Sequence, residues 1–174
     1  VVPASIADDL LKVVRTYRTS HRIPVLCYFH EPNAAVICRS SQPLVGLLGT
    51  ARLREDEKLL QEIRRANPNS SAIHIFDCRS SMAAMANRAK GGGTENSEVY
   101  EQCELTYLNI PNIHTMRTSL VKLHTLCCSP RYWLSSLENT GWFSYISKLL
   151  EGADQVASVV NKGCSVLVHC SDGW

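Results

Sequence analysis

The sequence predicts an α/β domain, a central mixed sheet flanked by helices, whose last strand delivers a cysteine into a small polar loop. Three observations carry this. From Ala72 onward the hydrophobic pattern runs strand, helix, strand, helix, helix, strand. Residues 142–160 form a long amphipathic helix that Gly163 stops, just ahead of residues 165–168, a short apolar, β-branched run of the kind that makes a buried strand. That run ends at His169-Cys170-Ser171-Asp172-Gly173. A loop of this composition can turn successive backbone N–H groups inward, and such a nest binds an oxyanion. Cys170 sits at its lip, where N–H dipoles favour the thiolate and make it a nucleophile. A buried cysteine at a strand end remains the bland alternative.

Composition narrows the classes. With 174 residues the chain can bury a real core as one domain or part of one. It begins with Val1 and ends inside a loop, so the expectation is a fragment. A net charge of +2 gives no case for nucleic acid, which calls for concentrated basic stripes. Eight cysteines are scattered, with only Cys127 and Cys128 adjacent and no Cys-x-x-Cys pair, so reduced thiols in the cytosol are expected rather than disulfides or zinc. No apolar run reaches the roughly 18 residues of a membrane span.

Taken in order, residues 6–14 predict a helix packing Ile6, Leu10, Val13 and Val14 on one side. Arg15, Arg18, His21 and Arg22 follow and read as a solvated charged face rather than an anion-binding patch. Residues 23–30 and 34–39 form an antiparallel hairpin around Glu31-Pro32-Asn33. Ser41-Gln42-Pro43 breaks the sheet, and residues 44–50 are a loop or short strand. A helix over 54–66 presents Leu59, Leu60 and Ile63, and Asn67-Pro68-Asn69 ends it. Residues 72–76 are a buried strand. Asp77 beyond it pairs with Arg79 or caps a helix more readily than it serves as a catalytic acid.

Ser80 or Ser81 caps a helix over 82–90, and Gly91-Gly92-Gly93 reads as a helix stop and mobile linker, lacking the Lys-Ser/Thr of a nucleotide loop. Asn87 and Arg88 close that helix, and the Asn87 carboxamide can bond a sugar-like hydroxyl. Residues 104–109 are a strand. A helix over 115–126 turns Met116, Leu120, Leu123 and Leu126 to the core; Asn112 either caps it or contacts a ligand. His114 and His124 read as surface residues, with no partner at metal-ligand spacing. Residues 127–131 form a loop, Leu134 and Leu137 lie on a short helix, and the long helix carries the stripe Trp142, Ile146, Leu149, Ala153, Val156, Val160.

Seven segments in order, RIPVLCYFH, ICRSSQPLVG, EDEKLLQEI, MANRAKGGG, PNIHTMRTSL, LENTGW and SVLVHCSDGW, resemble the phosphatase domain of the myotubularins. The resemblance runs from about Arg22 to Trp174, and the position of Cys170 is like that of the catalytically active members. It implies a cysteine-dependent, protein-tyrosine-phosphatase-like fold, with residues 1–174 as the N-terminal part of the domain, ending within the phosphate loop. It implies a lipid phosphatase that removes the 3-phosphate of phosphatidylinositol 3-phosphate and phosphatidylinositol 3,5-bisphosphate through a phosphocysteine, without metal or cofactor. Carried over by residue, Cys170 is the nucleophile; Ser171, Asp172, Gly173 and Trp174 line the loop; Asn87, Asn112 and Ile113 contact substrate.

The family's general-acid Asp follows Trp174, and its loop Arg follows that Asp, so the 174-residue segment by itself is expected to be inactive. The implied partners are a phosphoinositide head group, a membrane surface met peripherally, on endosomes, and other myotubularins as homo- or hetero-oligomers. Two competing functions stand beside this one. A phosphatase acting on phosphoproteins shares the cysteine loop, and a non-catalytic scaffold shares the fold.

Overall fold

The computed structural model describes residues 1–128 and 133–173. After helix α1 (Asp8–Tyr17) and a single 3-10 turn, strands β1 (Val25–His30) and β2 (Ala35–Ser40) form the expected antiparallel hairpin. Helix α2 (Arg54–Arg65) crosses to β3 (Ile73–Asp77), and α3 (Ser81–Arg88) leads to β4 (Cys103–Tyr107). Three helices follow, α4 (Ile113–Cys128), α5 (Trp133–Asn139) and α6 (Trp142–Asn161), before β5 (Ser165–His169). The order across the sheet is β1-β2-β5-β3-β4. Among the described strands the hairpin pair is antiparallel, while β2, β5, β3 and β4 run parallel. The last strand of the chain is therefore the middle strand of the sheet.

Strand alternation assigns the two faces. Cys38, Ile73, Ile75 and Leu167 meet Ile6, Val14, Leu59, Leu60, Ile63 and Tyr100 on the face covered by α1 and α2. Ala35, Phe76, Val166 and Val168 meet Leu108, Val156, Val159 and Val160 on the other, under α6. Because β5 is covered on both faces, its sequence reads as a continuous apolar run, as a central parallel strand should. Leu167, fully buried, packs in the first core, and by alternation His169 lies on that same face.

Several expectations are corrected. Cys127 and Cys128 close α4 instead of opening a loop, and the rest of that expected loop, residues 129–131, lies outside the described residues. Leu120 on α4 and Leu149 on α6 point to solvent, as does Ala153. Helix α6 approaches the sheet through Gly152, whose position would set a Cβ 3.1 Å from Leu108 Cδ1, so the contact face is Gly152, Val156, Val159 and Val160. The smallest residue, not the most apolar one, decides where the helix comes closest. Val13, assigned to the core side of α1, is also exposed; Val14 and Tyr17 are buried.

Candidate active site at the end of the central strand

Four parallel strands place their C-terminal ends along one edge, and β5 enters between β2 and β3, which lead in opposite directions across the sheet. In an open α/β sheet such a switch point is where ligands bind. Cys170, Ser171, Asp172 and Gly173 emerge there, partly exposed; Trp174, also named for this loop, lies outside the described residues.

The loop's conformation follows from where its carbonyls go. The Cys170 carbonyl oxygen lies 3.1 Å from His169 Nδ1, the Ser171 carbonyl accepts from the Gln42 N–H at 3.2 Å, and the Asp172 carbonyl accepts from the Arg22 guanidinium. In a trans peptide the next N–H points opposite to its carbonyl, and no cis bond is present among the described residues. Binding these oxygens to the scaffold therefore turns the N–H groups of Ser171, Asp172 and Gly173 the other way. The Gly173 N–H donates to Cys170 Sγ at 3.3 Å, and the Ser171 hydroxyl donates to the Asp172 carboxylate at 2.8 Å. Gly173 adopts φ +71, and a Cβ there would fall 2.6 Å from the Ser40 carbonyl oxygen, so only glycine lets the loop lie against the end of β2.

A second ring of contacts fixes the walls. Asp77 and Arg79 form the ion pair that the sequence favoured, at 2.7 Å, and Arg79 also reaches the Gln42 side chain and the Gly93 carbonyl. The glycine run is half of what was expected: Gly91, at φ +83, ends α3, but Gly92 and Gly93 are buried against Gln42 and Val45, where an added Cβ would collide. It is a packed wall, not a mobile linker. Burial pushes the Cys78 thiol up to about 12, helped by the neighbouring Cys170. Cys78 thus stays protonated beside the loop.

The solvated basic face is also corrected. Arg15 and His21 are exposed, but Arg18 is 1 % exposed and Arg22 is half-buried against the loop. Arg18 grips Asp56 through two bonds of 2.8 and 2.6 Å, donates to Glu95 at 2.6 Å and to the Ser41 carbonyl at 3.0 Å. Glu95 in turn lies 3.0 Å from His169 Nε2, and the Tyr100 hydroxyl donates to Asp56 at 2.8 Å. The carboxylates of Asp56 and Glu95 thus face the Arg18 guanidinium, and Glu95 also faces the imidazole of His169, the residue before Cys170. Against a strong desolvation cost, His169 and Arg18 hold the Glu95 carboxyl far below its usual range. Glu95, then Asp77, hold the His169 imidazole above its ordinary value despite burial and Arg18.

The other named residues lie on α3 and at the start of α4, and none of them bonds to the described residues of the cysteine loop. Asn112 caps α4, its side-chain oxygen accepting the Thr115 N–H at 2.9 Å, and Ile113 beside it is 65 % exposed. Asn87 donates to the Ala83 carbonyl at 2.8 Å, while its own carbonyl accepts from the Gly92 N–H at 3.1 Å, tying α3 to the glycine wall. Sequence reasoning missed Arg18, Gln42, Asp56 and Glu95. A signal existed for Asp56: it shares helical spacing with Leu59, Leu60 and Ile63, and so lies on the buried face of α2.

This geometry agrees with comparisons to known proteins. A family model described as myotubularin-like phosphatase domain matches residues 1–174. The chain is 48% identical to myotubularin from Rattus norvegicus over 178 residues, covering all of this chain and 29% of that protein. It is equally 48% identical to phosphatidylinositol-3,5-bisphosphate 3-phosphatase MTMR2 from Mus musculus, of which it covers 28%. The chain thus spans under a third of the length of these relatives. With the match unbroken from the first helix to the cysteine loop, the chain belongs to the myotubularin-like phosphatase domain family.

Proposed function

We propose that this chain carries the nucleophile and part of the head-group site of a phosphatase acting on the 3-phosphate of phosphatidylinositol 3-phosphate and phosphatidylinositol 3,5-bisphosphate. The observation that carries the reading is the Gly173 N–H aimed at Cys170 Sγ, within a loop whose carbonyls are bound to the scaffold. The name of a 48% identical relative, phosphatidylinositol-3,5-bisphosphate 3-phosphatase, supports the second of these substrates.

Cys170 Sγ attacks phosphorus in line, forming a P–S bond as the bond to the inositol 3-oxygen breaks, and that oxygen leaves with a proton from the acid expected after Trp174. Water then cleaves the phosphocysteine, releasing phosphate and restoring the thiolate. The N–H groups of Ser171, Asp172 and Gly173 donate to the equatorial oxygens as charge gathers there; one such donor is worth about 3–4 kcal/mol. Asn112 and Ile113 border the head group from the start of α4, and Asn87 does so from α3; Trp174 is assigned to the substrate site by the resemblance alone. The lipid is met peripherally, at endosomal membranes; among the described residues no helix is long and apolar enough to cross a bilayer. Association with other myotubularins belongs to the same reading.

The test is phosphate release from vesicles containing either lipid by the intact protein and its Cys170→Ser variant, with a phosphotyrosine peptide in parallel. Wild type is expected to hydrolyse the lipids, to leave the peptide, and to yield a phosphocysteine on acid quench; Cys170→Ser falls to background. The isolated segment 1–174 is expected to release none. Undiminished turnover by Cys170→Ser refutes the reading, and preference for the peptide moves it to protein phosphatases.

A further inference from the structure

The imidazole of His169 is set between two acceptors. Its Nδ1 lies 3.1 Å from the Cys170 carbonyl oxygen, which can only accept, and its Nε2 lies 3.0 Å from a Glu95 carboxylate oxygen. Nδ1 must carry a proton to bond the carbonyl, and the Nε2–Oε2 contact is a close charge pair rather than an aligned hydrogen bond, neither atom having another partner, so it is favourable only when the ring is the imidazolium. Glu95 is itself held as a carboxylate by Arg18 at 2.6 Å, and Arg18 is anchored by Asp56. All four side chains are fully buried or within 1 % of it, so water does not screen them.

We propose that Glu95 is a positioning residue for the nucleophile: with Arg18 and Asp56 behind it, it holds His169 as a buried imidazolium whose Nδ1–H clamps the Cys170 carbonyl. This deepens the phosphatase reading and rests on it for the role of Cys170. Clamping that carbonyl turns the following Ser171 N–H toward the anion side, so Glu95 helps set the nest without touching substrate. It also leaves a fixed cation one residue from the sulfur. The charged groups facing His169 come from three elements: Glu95 from the segment after the glycine run, Asp77 from β3 and Arg18 from the turn after α1. The first two favour the cation and Arg18 opposes it. Neutralising Glu95 removes the largest favourable partner and leaves only Asp77 to offset Arg18 at the ring.

Histidine-labelled intact protein tests the core of this without any mutation. Nitrogen NMR is expected to find both ring nitrogens of His169 still protonated at a pH above 6.5, where an ordinary histidine has become mostly neutral. A ring with a single N–H at that pH overturns the proposal. In the second arm, Glu95→Gln and Glu95→Asp are compared for alkylation of Cys170 by iodoacetamide. Glu95→Gln is expected to slow alkylation about tenfold at about pH 6 and to leave the rate near pH 9 unchanged, with Glu95→Asp recovering most of the loss. Equal slowing at both pH values, or none, overturns it. Should Cys170→Ser retain lipid turnover, the phosphatase reading fails while the ring measurement still judges the Glu95–His169 pair.

Discussion

Gly173 and Gly91 both adopt positive φ, +71 and +83, but only Gly173 faces a wall, the Ser40 carbonyl and Ser41 nitrogen; nothing lies within 4 Å of a Cβ at Gly91. Alanine at either costs about 1–3 kcal/mol of backbone strain. At Gly173 the collision must also push the loop off β2. Gly173→Ala is therefore expected to lower lipid turnover more than tenfold, whereas Gly91→Ala lowers the melting temperature with turnover per folded molecule kept; parallel assay and thermal scans check both. At this scale the sequence was legible where partners lie close along the chain, as in the ion pair of Asp77 with Arg79. It was not legible at Arg18 and Glu95, since charged residues usually face water, and burial becomes tolerable only through partners 38 and 77 positions away.

Among the elements, α4 shows what a local signal can do. Asn112 stands before its first turn and accepts the Thr115 N–H, as its position in the sequence allowed. Asn112→Ala is expected to cost about 0.5–2 kcal/mol, read as a lower denaturant midpoint with an unchanged slope. Helix and strand types were legible because spacing of apolar residues survives in any context: α2, α3 and β3 fall within a few residues of expectation. Faces were less so. The stripe on α6 named Val156 and Val160, which do pack in the core, but also Leu149 and Ala153, which face solvent while Gly152 lies against Leu108 and Ile110, because depth of approach depends on the partner's shape. The glycine run misled for a related reason. Flexibility is a property of isolated glycine, and burial against Gln42 and Val45 removes it.

At the scale of the whole molecule, the buried charges give stability a definite pH window. His169 is raised above 6.5, so its contribution is full below that value and is lost as pH climbs through the folded value. Glu95 is lowered below 4.5, so its contribution is full above that value and is lost as pH falls through the folded one. The melting temperature is expected to be highest between 4.5 and 6.5 and to decline on the alkaline side, with Glu95→Gln flattening that decline. An alkaline limb unchanged in the variant would contradict the assignment. The α/β class was legible from alternation, but the strand order was not, since nothing local says that β5 passes β4 and β3 to lie beside β2. That placement has a consequence for biogenesis. As the ribosome delivers this segment, the hairpin and the β3–β4 pair are made before the strand that lies between them, and Cys170 arrives together with that strand. The sheet becomes continuous only when β5 is in place, so the same stretch that carries the thiol also unites the two halves.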